Sequence, residues 1–206
     1  MKRVAVTGLG VISPVGNDVP TFWNALCSGT CGIGPITKFD ATDYPVKLAA
    51  EVRDFDPKQY MEKLDILHSD VYTHFAMAAA CQAVADSGIA GTLDAERVGV
   101  YIGSGIGGIA TFMTEHSKLL NRGPRRVSPY FIPMMIPNMA SSMIAMRYHF
   151  HGPAMPMVTA CASGTNAIGE ALRLIRHGYA DAVITGGSEA AISECGVAGF
   201  VNMQAL

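Results

Sequence analysis

The sequence predicts an α/β fold, either as one domain or as half of a larger one. Short runs rich in β-branched residues that stop at glycine alternate with longer helical patterns along all 206 residues. No linker, block of like charges or low-complexity tract divides the chain, and no unit of roughly 20 to 50 residues repeats. Together these observations predict helices packed against a sheet.

The first part of the chain contains two strand patterns and two helix patterns. Residues 2–7 (KRVAVT) predict a buried central strand, because a β-branched run there ends at glycines. The segment Val19–Cys27 predicts a helix that begins behind an aspartate able to cap it. Residues 45–52 predict a second strand. Residues 69–87 form the strongest helix pattern, which is rich in alanine and ends at Gly88.

The second part continues the alternation. Residues 97–102 predict a buried strand, which is followed by the glycine-rich run GSGIGG. Residues 121–137 contain four prolines and predict a long irregular loop, and a loop of that length usually has a binding role. Residues 138–148 predict a helix, and residues 155–160 predict a short strand. A helix over residues 162–177 and a strand over residues 181–186 complete the pattern.

Composition limits the partners of this chain. Half of the residues are hydrophobic and 16% are charged, against about 25% charged in typical soluble domains. We therefore expect much of the outer surface to be buried against another polypeptide. The formal net charge of −2 argues against nucleic acid as a partner, and no stretch reaches the roughly 18 to 20 apolar residues of a membrane span. Five cysteines without paired spacing predict reduced thiols in the cytoplasm, and no spacing predicts a metal site.

One cysteine stands out by its position. Cys161 lies among small residues between a predicted strand and a predicted helix, so its thiol is approachable. The start of a helix stabilises a thiolate by roughly 0.3 to 1 kcal/mol, which is too little to ionise a thiol at neutral pH without a further group. The residues alone leave two interpretations open: a nucleophile or a structural thiol. Gly169 weakens the following helix by about 1 kcal/mol relative to alanine, which predicts close backbone packing there.

The run GSGIGG, residues 103–108, matches the dinucleotide-binding pattern G-x-G-x-x-G. Glu115 is wrongly placed for the acid that binds ribose, which stands about 20 residues beyond the glycines in such sites. No clear helix pattern follows the run at once. We therefore expect these glycines to serve backbone packing.

Five motifs resemble one known family. They are GLGVISPVGN at 8–17, IGSGIGG at 102–108, GPRRVSPYFIP at 123–133, TACASG at 159–164 and GGSEA at 186–190. In this order they resemble the β-ketoacyl-acyl carrier protein synthases, and most closely the elongating synthase II type. The resemblance runs from Met1 to Leu206. It implies a thiolase-like fold with αβαβα layers, in which residues 1–206 are the N-terminal half, a mixed five-stranded sheet flanked by helices.

The resemblance also implies a chemistry. Cys161 would take an acyl chain from acyl carrier protein as a thioester, and the carbanion left by decarboxylation of malonyl-carrier protein would attack that thioester. The backbone N–H of Cys161 would supply half of an oxyanion hole. The resemblance implies that no cofactor takes part and that the enzyme is a homodimer. The residues implied to line the acyl tunnel are Ile106, Phe131, Gly196 and Phe200, and those implied to contact the carrier protein are Arg125 and Arg126.

The chain departs from the family pattern in two places. The family's catalytic histidines lie beyond the stretch that this chain matches, and none of its six histidines falls in a family catalytic motif. We therefore expect a fragment or split half that needs the C-terminal half for condensation. One alternative is a non-catalytic subunit that shapes a partner's pocket. Another is a cysteine-dependent acyltransferase or thioesterase, which would need a general base, and none of the histidines present can be assigned that role. In residues 60–70, where relatives carry several basic residues, Lys63 stands beside Glu62 and Asp65, so carrier-protein docking should be weaker or shifted.

Overall fold

The computed structural model describes residues 3–206, in which helices and strands alternate as predicted. The helices are α1 Val19–Cys27, α2 Lys63–Leu67, α3 Val71–Ser87, α4 Ile109–Arg122, α5 Phe131–Met135, α6 Met139–Tyr148, α7 Ser163–Arg176 and α8 Glu194–Asn202. The strands are β1 Ile33–Pro35, β2 Leu48–Ala50, β3 Val98–Gly103, β4 Ala154–Met157 and β5 Ala182–Gly187.

The central sheet has three parallel strands in the order β4-β3-β5. β3 pairs with β5 from Val98 opposite Ala182 to Gly103 opposite Gly187, so both strands end level with each other. β1 and β2 form a separate antiparallel pair. The expectation of one mixed five-stranded sheet is therefore corrected for the described residues, although the α/β fold class is confirmed.

The strand predicted over residues 2–7 is not formed in the part of the chain that the structure describes; Lys2 lies outside that part. The peptide N–H of Leu9 donates to the Asp86 carboxylate, and that of Val11 donates to Gln82 Oε1. These donors therefore bond to side chains of α3 and not to a neighbouring strand. Val6 is 81% exposed, so the β-branched run that predicted a buried strand lies open on one side.

The two faces of the sheet are covered by different helices. Val98, Val100 and Ile102 point into a core shared with α3 and α6. The intervening residues face α7, since a Cβ built on Gly99 would lie 3.5 Å from Leu174 Cδ2. Ser141 of α6 is fully buried; its hydroxyl donates to the Met155 carbonyl and accepts the Ile102 N–H, which ties α6 to two strands.

Most predicted elements are confirmed within two residues. α1 has the predicted bounds, with Asp18 Oδ1 accepting the Thr21 N–H at 2.7 Å, and α3 ends at Gly88 with φ 62°. The loop predicted over residues 121–137 instead holds a short 3-10 turn and α5, while α4 and α8 were not predicted. No helix within residues 3–206 is long and apolar enough to cross a membrane.

Candidate active site

The turn that carries Cys161 is fixed by hydrogen bonds on both sides of it. It is a 3-10 turn, Ala160–Ala162, between β4 and α7. The buried Ser163 accepts the Thr159 N–H at 2.9 Å and donates its hydroxyl to the Ala160 carbonyl at 2.7 Å. Asn166 Nδ2 donates to Thr159 Oγ1 at 2.8 Å. Cys161 itself is exposed, so the turn presents its thiol to solvent.

Glycines allow the start of α7 to lie directly on the end of the sheet. A Cβ on Gly187 would lie 2.8 Å from Gly164 Cα, and a Cβ on Gly103 would collide with the Ser163 carbonyl. The N-cap residue of α7, Ala162, makes no side-chain hydrogen bond to the helix. The positive end of the helix dipole therefore lies at the carboxyl edge of the sheet beside Cys161.

The loop after β3 packs next to this turn. A Cβ on Gly105 would lie 3.3 Å from the Ala160 carbonyl oxygen. On its other side the loop contacts α5, because the Gly108 N–H donates to the Met135 carbonyl at 2.9 Å. Ile106, at the tip of the loop, is 40% exposed. The loop thus lies between the Cys161 turn and α5.

The peptide N–H groups of this glycine-rich loop are already occupied. Those of Gly105 and Ile106 donate to Glu189 Oε2 at 2.8 and 3.0 Å, and that of Gly107 donates to Ser104 Oγ at 3.1 Å. α4 begins at Ile109, so the expectation that no helix follows the run was wrong. The expectation of backbone packing stands, because a phosphate would have to displace a carboxylate from these donors.

Two of the implied tunnel residues lie on elements that contact each other. Phe131 is the first residue of α5, half-buried, and its ring centroid lies 6.2 Å from that of Phe112 on α4. The loop that carries Ile106 contacts the other end of α5 through Gly108 and Met135, and it packs against the Cys161 turn through Gly105.

The other two lie on α8. Gly196 is buried, its N–H donates to Ser193 Oγ at 3.2 Å, and a Cβ there would collide with the Ala191 carbonyl. The local turn before α8 thus requires a glycine whatever lies beyond it. Phe200 is half-buried on the same helix. Within residues 3–206 no ring contact or hydrogen bond joins Phe200 to the Cys161 turn.

Arg125 and Arg126 are exposed in a 3-10 turn, Pro124–Arg126, after α4. This turn is anchored by Glu115, whose carboxylate accepts the Ser128 N–H at 2.7 Å and pairs with Lys118 Nζ at 2.5 Å. The bond from Lys118, with that from the Ser128 N–H, lowers the pKa of Glu115. The carboxylate therefore stays charged, and it holds the arginine turn in place.

The segment over residues 60–70 contacts the loop that follows the arginine turn. The His68 ring stacks on the Tyr130 ring with centroids 3.6 Å apart. Glu62, Lys63 and Asp65 of that segment are exposed, as are the two arginines.

Within residues 3–206 no hydrogen bond, ion pair or ring contact joins a histidine to Cys161. His74, for example, is buried beside Ser69 and the Ile66 carbonyl, and burial lowers its pKa. All five cysteines are free, and the described residues contain no group of three His, Cys, Asp or Glu side chains able to hold a metal ion.

The family model described as "Beta-ketoacyl synthase, N-terminal domain" matches residues 1–206. The chain belongs to the β-ketoacyl synthase family. It is 48% identical to a 3-oxoacyl-acyl-carrier-protein synthase 2 of Coxiella burnetii and 47% identical to one of Synechocystis, in each case over 100% of this chain and 50% of the relative. The chain thus spans about half the length of the curated relatives it matches.

Solved structures of ketosynthases share its fold. The ishigamide ketosynthase/chain length factor matches with a TM-score of 0.90 and 29% identity, over 98% of this chain and 50% of that chain. A type II polyketide ketosynthase, AntDE, solved with its acyl carrier protein AntF and bound to the hexaketide, matches with a TM-score of 0.85 and 25% identity, over 99% of this chain and 55% of that chain. The thiolase-like expectation for the fold is confirmed.

Proposed function

We propose that Cys161 accepts the acyl chain in a decarboxylating condensation that elongates a fatty acyl or polyketide chain on acyl carrier protein. The observation that carries this proposal is the exposed Cys161 at the uncapped start of α7, in a turn that Ser163 fixes. Cys27, Cys31 and Cys195 are exposed as well, so the position of Cys161 at the start of a helix, and not exposure alone, distinguishes it. The relatives named as synthases support the same assignment.

The first half-reaction is an acyl transfer. The Cys161 sulfur attacks the carbonyl carbon of the acyl-carrier thioester, the bond to the carrier's sulfur breaks, and the carrier leaves as a free thiol with the proton from Cys161. The oxyanion formed on the way takes the backbone N–H of Cys161 as one donor. The dipole of α7 stabilises the thiolate before attack.

The second half-reaction forms the carbon–carbon bond. Malonyl-carrier protein loses carbon dioxide, and its carbanion attacks the thioester carbon to give a β-ketoacyl-carrier product. The bond to sulfur breaks, so Cys161 leaves as a thiolate that takes a proton from solvent. Because no histidine of residues 3–206 contacts Cys161, we infer that the groups stabilising the carbanion come from the C-terminal half of the ketosynthase domain. Residues 1–206 then form the N-terminal half.

The acyl chain and the carrier protein are assigned to the surfaces described above. We place the acyl chain against Ile106, Phe131, Gly196 and Phe200, and the carrier protein on Arg125 and Arg126. The proposal includes a homodimer in the cytoplasm, where the five free cysteines would stay reduced.

The test is covalent capture of the acyl group. Residues 1–206 are incubated with acyl-acyl carrier protein, with and without the complementary C-terminal half, and the intact mass is measured. We expect an acyl adduct in the wild type and in Cys195→Ala, which removes another exposed cysteine, and none in Cys161→Ala. A β-ketoacyl product should form only when the C-terminal half and malonyl-carrier protein are added. Absence of an adduct even with both halves would contradict the proposal.

A second candidate is a non-catalytic subunit that shapes the pocket of a partner. The absence of a histidine beside Cys161 within residues 3–206 favours it, and two matching structures pair a ketosynthase with a chain length factor. Iodoacetamide distinguishes the two candidates. A nucleophile should react faster than Cys195, whereas a subunit without acyl transfer should show Cys161 no more reactive than that exposed reference.

A further inference from the structure

The side chain of Glu189 links the segment after β5 to the loop after β3, and that loop packs against the Cys161 turn. It stands two residues after β5, and its Oε2 accepts the N–H of Gly105 at 2.8 Å and that of Ile106 at 3.0 Å. Its Oε1 accepts the Ser104 hydroxyl at 3.4 Å. Hydrogen bonds to an ionised acceptor are shorter and stronger than neutral ones. One carboxylate therefore holds three donors of the loop after β3.

The base of Glu189 is itself anchored. The preceding residue, Ser188, donates its N–H to the Gly103 carbonyl at 2.9 Å and its hydroxyl to the Tyr72 carbonyl at 2.6 Å. The following residue, Ala190, is buried. The carboxylate thus projects from a fixed segment and acts as a tether on the loop.

The tethered loop is the one that borders the thiol. A Cβ built on Gly105 would lie 3.2 Å from Glu189 Oε2 and 3.3 Å from the Ala160 carbonyl oxygen. Glu189, the loop and the residue before Cys161 therefore pack at one place. Ile106, whose N–H is held by the same oxygen, has its side chain 40% exposed at this position.

We propose that Glu189 is a positioning residue that fixes Ile106 relative to Cys161 and thereby sets which acyl chain lengths reach the thiol. This inference rests on the proposed function. Glu189 is not placed to transfer protons in the reaction, since within residues 3–206 no contact joins it to Cys161 and its oxygens are occupied by the loop. When the tether is lost, the loop is free to move and discrimination between short and long chains falls.

The experiment compares acyl transfer with simple alkylation. Residues 1–206 with the complementary half receive butanoyl or dodecanoyl N-acetylcysteamine thioester, and the rate of Cys161 acylation is followed by intact mass. Iodoacetamide measures the reactivity of the thiol alone, because it is too small to contact the residues that line the acyl tunnel. The variants are Glu189→Ala, Glu189→Asp, whose shorter side chain does not reach both N–H groups, and Glu189→Gln, which keeps an acceptor oxygen. Glu96→Ala, an exposed glutamate before the other end of β3, is the matched control.

We expect the dodecanoyl-to-butanoyl rate ratio to move toward one by about fivefold or more in Glu189→Ala and Glu189→Asp. The iodoacetamide rate should be unchanged, and Glu189→Gln should restore most of the wild-type ratio. An unchanged ratio in Glu189→Asp, or an equal fall in all three rates, overturns the positioning role while leaving the proposed function intact. If Glu189→Ala does not fold, the rate ratio of Glu189→Asp compared with that of Glu189→Gln tests the positioning role instead. A wild type that takes neither acyl group contradicts the proposed function itself.

Discussion

Ala160 is strained in the position immediately before the thiol. Its φ of 52° lies in the left-handed region, which disfavours a residue with a Cβ by roughly 1 to 2 kcal/mol. The Ser163 hydroxyl bonds the Ala160 carbonyl at 2.7 Å, so the conformation is held by its surroundings. Strain of this kind is common at functional sites, where the rest of the fold maintains it.

Replacing this residue by glycine should relieve the strain. We expect Ala160→Gly to raise the free energy of unfolding by roughly 0.5 to 1 kcal/mol, since the gain in the folded state exceeds the extra freedom of the unfolded chain. Urea unfolding of residues 1–206 measures it. His149→Gly, at φ 53° after α6 and outside the site, is the control and should change stability in the same direction. A loss of stability confined to Ala160→Gly would show that the turn is not strained.

The sequence shows the position of Cys161 but not the contacts around it. TACASG predicts a thiol at a turn because small residues and the start of a helix pattern are local signals. The left-handed conformation of Ala160 cannot be predicted from the sequence, because turns with a positive φ favour glycine or asparagine at that position. The contacts of Glu189 cannot be predicted for another reason. Its hydrogen bonds to Gly105 and Ile106 span 84 and 83 residues, and no local sequence pattern indicates them.

At the scale of elements, contact between α7 and the sheet depends on particular glycines. Gly187 lies where a Cβ would be 2.8 Å from Gly164 Cα, a backbone atom that cannot move without shifting the helix. Gly169 is different: apart from its chain neighbours and the backbone of its own helix, no described atom lies within 4 Å of the Cβ it would carry. The prediction of close packing at Gly169 was therefore wrong for residues 3–206, because the face of α7 that docks on the sheet is the one with Ala167 and Ala171.

The two glycines should respond oppositely to the same substitution. Gly187→Ala should lower the free energy of unfolding of residues 1–206 by about 1 to 3 kcal/mol through overpacking. Gly169→Ala should raise it by about 0.5 to 1 kcal/mol, because alanine is the better helix former and the site is open. Urea denaturation followed by circular dichroism measures both. Equal effects of the two substitutions would mean that α7 does not lie on the sheet as described.

Helix ends that a local cap marks were easier to locate than the partners of strands. Asp18 and Gly88 mark the ends of α1 and α3 through hydrogen bonds made within a few residues, so the pattern alone locates them. A strand depends on a neighbour that can be far away in the sequence. The runs predicted at residues 97–102 and 181–186 pair with each other as β3 and β5. The similar run at residues 2–7 does not form a strand in the part the structure describes.

Several large apolar side chains are exposed on the described part of the molecule. Met155, Val158 and Ile168 are 49%, 53% and 54% exposed near the site, and only 16% of the residues are charged. Large exposed apolar patches usually mark an interface. This surface agrees with the sequence-based expectation that another polypeptide covers the chain, and it is where we expect the complementary half to dock.

The charged surface is where we expect the carrier protein to bind. Arg125 and Arg126 are adjacent exposed cations on a chain with net charge −2, and the His68–Tyr130 stack joins the segment that carries the acidic Glu62 and Asp65 to the loop after the arginine turn. Replacing both arginines by alanine should slow association with an acidic carrier protein by about tenfold at low ionic strength, because charges at the rim of an interface act mainly on the association rate. Surface plasmon resonance over a salt series measures it.

The acidic pair should oppose the arginines. We expect Glu62→Lys with Asp65→Lys to accelerate association, and the difference from the wild type should shrink as salt shortens the range of the charges. Arg173→Ala, which removes an exposed arginine paired with Glu170 on α7, is the matched control and should leave the rate unchanged. Equal slowing by Arg173→Ala and by the Arg125 and Arg126 replacements would mean that net charge alone attracts the carrier. Because the Glu115 carboxylate accepts the Ser128 N–H just after the arginine turn, a specific site should lose affinity in Glu115→Ala as well, which removes that acceptor although no arginine is removed.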